Sequence, residues 1–111
     1  MESNRNLTMT TAQDGTLVVA GDIDMASGPI LEQAMMERDA ALAAAGGGAI
    51  VVDLADVHFI DSSGLRSLLA VARRAAGRRS KLELRSVGPE IIRLFEITGT
   101  MDQFTLASRR G

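Results

Sequence analysis

The chain has 111 residues, 46% hydrophobic and 23% charged, with a formal net charge of -2. This is enough for one hydrophobic core but not two, the composition is that of a globular protein, and the charge gives no basis for nucleic-acid binding. With no cysteine and a single histidine, disulfides, thiolate metal sites and multi-histidine metal sites are excluded, and no cofactor is expected. No run approaches the ~20 apolar residues of a membrane span, and the polar start lacks the apolar stretch of a secretion signal, so a cytoplasmic protein without a membrane span is expected. The 1–111 stretch reads as one domain with its core over about 7–106, built from aliphatic residues because there are three Phe and no Tyr or Trp.

Leu7, Met9 and Thr11 alternate with Thr8 and Thr10 as in an edge strand. Asp14-Gly15 supplies a hairpin turn, and Thr16 to Ala20 forms a second strand ending at Gly21. Ser27 is a candidate N-cap with Pro29 in the first turn of a helix, whose stripe is Leu31, Met35, Arg38, Leu42 and Ala45 and whose stop is Gly46-Gly47-Gly48. That glycine run lacks the Lys-Ser/Thr of a phosphate-binding loop and follows a helix, so it reads as a stop.

Ala49 to Leu54 is a β-branched run suited to a central strand. After Asp61 the helical period returns with Leu65, Leu68, Leu69, Ala72 and Ala76 on one stripe, ended by Gly77. The basic run Arg73, Arg74, Arg78, Arg79 and Lys81 reads as a solvated helix end suited to the negative end of the helix dipole. Lys81 to Ser86 alternates again, with Leu82 and Leu84 pointing one way. Pro89 opens a third helix in which Ile91, Ile92, Leu94, Phe95 and Ile97 pack inward, stopped by Gly99. Phe104 and Leu106 form a last short strand, and Ser108 to Gly111 is expected to fray. The order is β-β-α-β-α-β-α-β. An α/β fold follows, a mixed β-sheet with parallel strands joined by right-handed crossovers and helices packed mainly on one face.

The informative segment is Val57-His58-Phe59-Ile60-Asp61-Ser62-Ser63-Gly64-Leu65, because loops at the carboxyl ends of strands carry the sites of open α/β sheets. Asp61, Ser62 and Ser63 can all cap a helix, and only one is needed. Gly64 in the first turn lowers helix stability, by up to ~1 kcal/mol relative to Ala in a helix interior, and reads as leaving a hydroxyl and backbone N–H groups open to a partner. The plainer reading is a well-capped helix start. His58 reads as a surface or loop residue and Phe59 as an anchor of the loop in the core, with an interface contact as its alternative. Asp53, Asp56 and Asp61 read as turn and capping residues rather than paired catalytic carboxylates.

Ile60-Asp61-Ser62-Ser63-Gly64-Leu65, preceded by Ile50-Val51-Val52-Asp53-Leu54, resembles the phosphorylation-site signature of the STAS family of bacterial anti-sigma factor antagonists. Ala20-Gly21-Asp22-Ile23-Asp24 is similar to that family's turn before the first helix, and Val87 to Phe95 with Ile97-Thr98-Gly99 to its third helix. The resemblance implies a regulator without catalysis of its own. It implies that the unphosphorylated chain binds an anti-sigma factor with serine kinase activity, and that phosphorylation ends the complex. A Ser/Thr phosphatase of the metal-dependent class then resets it. The implied acceptor is Ser62, with Ser63 as the alternative. The resemblance puts Asp24 at a partner-contacting position, with Ser63, Gly64 and Leu65 flanking the acceptor. With Met25, Asp61 and Arg66 added from the residues themselves, the candidate partner surface is Asp24, Met25, Asp61, Ser62, Ser63, Gly64, Leu65 and Arg66. Met25 is also open to a duller reading as a helix-capping staple, and Arg66 as a solvated residue, a partner of a phosphate on Ser62 or a partner of a carboxylate.

Two rival readings stand beside this one. The first is a non-phosphorylated accessory or ligand-sensing module of a transporter or sensory complex. The second is a small hydrolase using Ser62, weakened by the single histidine and the missing glycine-flanked nucleophile turn.

Overall fold

The computed structural model describes residues 6–78 and 80–107. Arg79 of the basic run and the expected frayed tail from Ser108 lie outside the described residues. The elements are β1 (Thr8–Thr11), β2 (Leu17–Ile23), α1 (Gly28–Ala44), β3 (Ile50–Ile60), α2 (Ser62–Gly77), β4 (Leu82–Arg85), α3 (Pro89–Thr98), a 3-10 turn (Met101–Gln103) and β5 (Thr105–Ala107). The strand and helix order matches the expectation, apart from the 3-10 turn, for which the sequence carries no periodic signal.

The five strands lie in the order β1-β2-β3-β4-β5, with β1 and β2 antiparallel and the remaining neighbours parallel. Each crossover therefore steps the same way across the sheet. With right-handed connections, this places successive helices on one face. Burial agrees. Leu17, Val19, Ile23, Ile50, Val52, Leu54, Leu82 and Leu84 form the core side. Val18, Ala20, Asp22, Val51, Asp53, Glu83 and Arg85 on the other side stay partly or fully accessible.

β3 is longer than the apolar run within it, and it does not alternate simply. Val18 pairs with Asp53, Ala20 with Asp56 and Asp22 with Phe59, so β3 twice uses three residues where β2 uses two. Each is a bulge that shifts the inward phase by one residue. The buried set accordingly runs Ile50, Val52, Leu54, Val57, Ile60, and the pairs Ala55-Asp56 and His58-Phe59 fall outside it. At the first bulge the Asp53 carboxylate accepts the Ala55 N–H at 2.9 Å. Asp53 and Asp56 are thus strand residues, not turn residues. On the partner strand Gly21 has φ +102°, a left-handed backbone suited to glycine, so β2 passes through Gly21 instead of ending there.

The helix stripes also rotate from expectation. α1 buries Gly28, Leu31, Met35 and Asp39, leaving Arg38 and Leu42 half-buried and Ala45 exposed. α2 buries Val71 and Ala75, whereas Leu69 is half-buried and Ala76 exposed. In α3 only Ile91 and Phe95 are fully inside; Ile97, expected inside, is 71% exposed. Phe95 packs against Phe104 with the tilted rings 4.8 Å apart between centroids, tying α3 to the residue that ends the 3-10 turn just before β5. The expected last strand therefore begins one residue after Phe104.

Candidate functional site

β2 and β3 are parallel neighbours, and their last residues, Ile23 and Ile60, are register partners. Asp24 and Asp61 therefore leave the sheet side by side, although they are 37 positions apart in the chain. The Asp61 N–H donates to the Ile23 carbonyl at 3.1 Å, which stitches the two loops together. The Asp61 carboxylate accepts the Gly64 N–H at 2.8 Å, and the Asp61 carbonyl accepts the Leu65 N–H at 2.9 Å. Of the three candidate caps, Asp61 is the one used. Ser62, the first residue of α2, is exposed, and its hydroxyl makes no hydrogen bond among the described residues. Ser63 is half-buried.

Gly64 is buried, and its role differs from the expected opening of the turn. A Cβ built on it would lie 2.3 Å from the Ile23 carbonyl oxygen and 2.8 Å from Ile23 Cγ2. Glycine is there because the first turn of α2 rests against the end of β2. Gly28 plays a similar part in α1, since a Cβ on it would come within 2.8 Å of the Ser67 hydroxyl. Gly28, Gly64 and Ser67 are small and buried, which brings the N-terminal turns of α1 and α2 together. Leu65 is buried beside them at 7% exposure, so Gly64 and Leu65 position the turn from beneath.

The Asp24 loop is held by its own side chains. The Asp24 carboxylate accepts the Ala26 N–H, the Ser27 N–H and the Ser27 hydroxyl, each at 3.0 Å. The Ser27 hydroxyl also lies 2.8 Å from the Asp22 carbonyl and accepts the Asp24 N–H at 3.0 Å. Ser27 occupies the N-cap position of α1 but makes no side-chain capping bond, because its hydroxyl is turned back toward the loop. The Ser27 backbone N–H, followed by its hydroxyl, holds the Asp24 carboxyl below its ordinary value, so Asp24 presents a stable negative charge. Met25 stands out from this braced loop at 74% exposure, which removes the capping-staple reading.

Between the helices runs a groove of about 380 Å³, lined by Met25, Pro29 and Glu32 on one wall and Ser63, Arg66 and Ser67 on the other. Arg66 is exposed and forms no ion pair among the described residues. The structure thus brings Asp24, Met25, Asp61, Ser62, Ser63 and Arg66 to one end of the molecule. On the other flank of the turn, His58, Phe59, Glu90, Arg93, Leu94 and Ile97 border a second groove of about 260 Å³. His58 is exposed but sits on β3, not in a loop, and Phe59 is 50% exposed rather than anchored in the core. Both follow from the bulges.

One polar feature escapes a reading of the sequence alone. Asp39 is 3% exposed and faces Arg74 Nε at 3.4 Å and Arg78 at 3.3 Å. Part of the basic run is therefore an α1–α2 tie rather than a purely solvated helix end. A signal existed, since Asp39 continues the four-residue steps of Leu31 and Met35.

A mixed sheet with helices on one face, and two loops laced together at the ends of adjacent parallel strands, define a class of small single α/β domain. The chain belongs to the STAS-domain family: the family described as "Mlab, STAS domain" matches residues 7–106. It is similar to the anti-sigma-B factor antagonist of Bacillus subtilis (strain 168), with 29% identity covering 82% of this chain and 79% of that protein. It is 30% identical to the anti-sigma-B factor antagonist of Listeria monocytogenes (86% of this chain, 80% of that protein). Among solved structures, an anti-sigma factor antagonist from Mycobacterium paratuberculosis superposes with a TM-score of 0.71 and 32% identity, covering 96% of this chain and 89% of that one. Among the described residues no helix is long and apolar enough to cross a membrane.

Proposed function

We propose that this chain is a cytoplasmic anti-sigma factor antagonist, a binding switch without catalysis of its own. In this reading the unmodified form binds an anti-sigma factor with serine kinase activity and so releases a sigma factor. Phosphorylation of Ser62 ends that complex, and a metal-dependent Ser/Thr phosphatase restores it. The observation that carries the reading is the contrast along one turn: an exposed, unbonded Ser62 hydroxyl stands on a framework of Asp61, Gly64 and Leu65 that is capped and packed. The antagonist relatives support it. Ser62 is preferred over Ser63 because Ser63 is half-buried against the α1 side of the turn.

The physics of the switch is local. A phosphate adds ~1.5–2 negative charges and three acceptor oxygens. At the start of α2 the helix dipole favours that charge by about 0.3–1 kcal/mol, so the fold persists. Toward a partner the same charge joins Asp24 and Asp61 and repels any acidic surface, which across an interface amounts to several kcal/mol.

The test is to incubate the chain with the host's anti-sigma kinases and ATP, map the phosphate, and measure binding of wild type and Ser62→Asp. Phosphate at Ser62 with loss of binding in Ser62→Asp supports the switch. Ser62→Asp binding as tightly as wild type would overturn it. No phosphorylation by any kinase, together with copurification of a transporter, would make the chain an accessory module instead.

A further inference from the structure

We propose that Arg66 is a phosphate clamp in cis: when Ser62 carries a phosphoryl group, the Arg66 guanidinium swings from the α1–α2 groove onto it. This rests on the reading that Ser62 is modified, and it concerns how the modified state is held. Arg66 lies four residues after Ser62 and three after Ser63 on α2, the two spacings that make helix side chains neighbours. Helical side chains lean toward the N-terminus, so Arg66 leans toward the Ser62 turn. Ser62 and Arg66 are both exposed, and Arg66 has no ion-pair partner among the described residues. The contrast with Arg74 and Arg78, which are drawn to Asp39, marks Arg66 as the uncommitted cation of this helix's working end.

The need for such a cation follows from the neighbours. A dianion on Ser62 would stand beside Asp61 and near Asp24, whose carboxyl is held ionised by Ser27. Like charges so placed would push the phosphate toward its monoanion and strain the turn. A planar guanidinium offers two parallel donors to phosphate oxygens and offsets both acidic neighbours. Closing onto the phosphate also withdraws Arg66 from the groove it shares with Met25, Pro29 and Glu32. A partner carboxylate that met Arg66 in the unmodified state would then lose its cation as well as meet an anion.

The experiment uses the full chain with phosphoserine installed at position 62 during synthesis, so no kinase is needed. The second ionisation of the phosphate is followed by phosphorus NMR in wild type, Arg66→Gln, Arg66→Lys and Arg73→Gln. Arg73 is exposed on the same helix, well beyond reach of Ser62, and serves as the control. A clamp predicts that Arg66→Gln raises the phosphate pKa by about 0.2–0.7 unit, the range of an exposed ion pair, with Arg66→Lys in between and Arg73→Gln unchanged. Equal values in wild type and Arg66→Gln, or equal shifts in Arg66→Gln and Arg73→Gln, would overturn it. Partner release by phosphorylated Ser62 would survive that result. Conversely, a clear clamp in a chain that no kinase modifies would leave the clamp standing and remove the switch.

Discussion

Replacing Gly64 by alanine separates two explanations of why a glycine opens α2. If its purpose were only to leave the turn accessible, alanine would gain helix propensity, up to about 1 kcal/mol, and the domain would become more stable. The packing says otherwise. The new Cβ would stand 2.3 Å from the Ile23 oxygen, 2.8 Å from its Cγ2 and 2.9 Å from its carbonyl carbon, where ordinary contact begins at 3.4 Å. These are mainly backbone atoms of a residue with no exposed surface, so no flexible side-chain end can give way. Relief requires the end of β2 and the start of α2 to part by about 1 Å, loosening the bond from Asp61 N–H to the Ile23 carbonyl. Overpacking of this kind costs about 1–3 kcal/mol and a lost hydrogen bond about 0.5–1.5 kcal/mol, so after a propensity gain of about 1 kcal/mol a net loss of about 0.5–3.5 kcal/mol is expected. A domain stable by about 5–15 kcal/mol remains folded. Urea denaturation should show a lower midpoint with unchanged slope. Gly77→Ala, at the end of α2 where an added Cβ meets nothing within 4 Å, should be neutral or slightly stabilising. A Gly64→Ala chain as stable as wild type would refute the close-approach argument.

Asp24 yields a pH prediction. Its carboxyl is lowered in the folded chain, first by the Ser27 N–H, so its stabilisation is present above the unfolded value, 3.8, and is lost as pH falls through the lower folded value. NMR titration of Ser27→Ala should show the Asp24 pKa rising toward 3.8, because the hydroxyl contribution is gone; an unmoved value would contradict the assignment. At the α1–α2 tie, Arg74→Gln with Arg78→Gln leaves the 3%-exposed Asp39 without its cations and should cost about 1–3 kcal/mol, discounted because both arginines are about half exposed. Asp39→Asn should be milder, since the freed arginines can be solvated, and equal losses in denaturation would argue against a buried charge tie. Phe95→Ala should lose about 3–5 kcal/mol, whereas Phe59→Ser, at a half-exposed position, should lose less than about 1 kcal/mol. A large loss at Phe59 would show that it anchors the core after all.

Element order and type were legible in the sequence because strand and helix periods differ and the stops are chemically distinct. Asp14-Gly15 turns the hairpin, Pro89 opens α3, and Gly99 closes it with φ +70°. The candidate turn was legible as a helix start with three possible caps, Asp61, Ser62 and Ser63; the structure decided that Asp61 caps it and Ser62 stays exposed. What only tertiary structure decided depends on a second element. The bulges of β3 exist only relative to β2, and they, not hydropathy, turn Phe59 and His58 outward. The stripe on α1 includes Asp39 because Arg74 of α2 and Arg78 just after it lie opposite. Gly64 reads as openness in isolation and as contact once Ile23 lies against it. Asp24 and Asp61 become neighbours through the pairing of Ile23 with Ile60, a long-range register that local sequence does not encode.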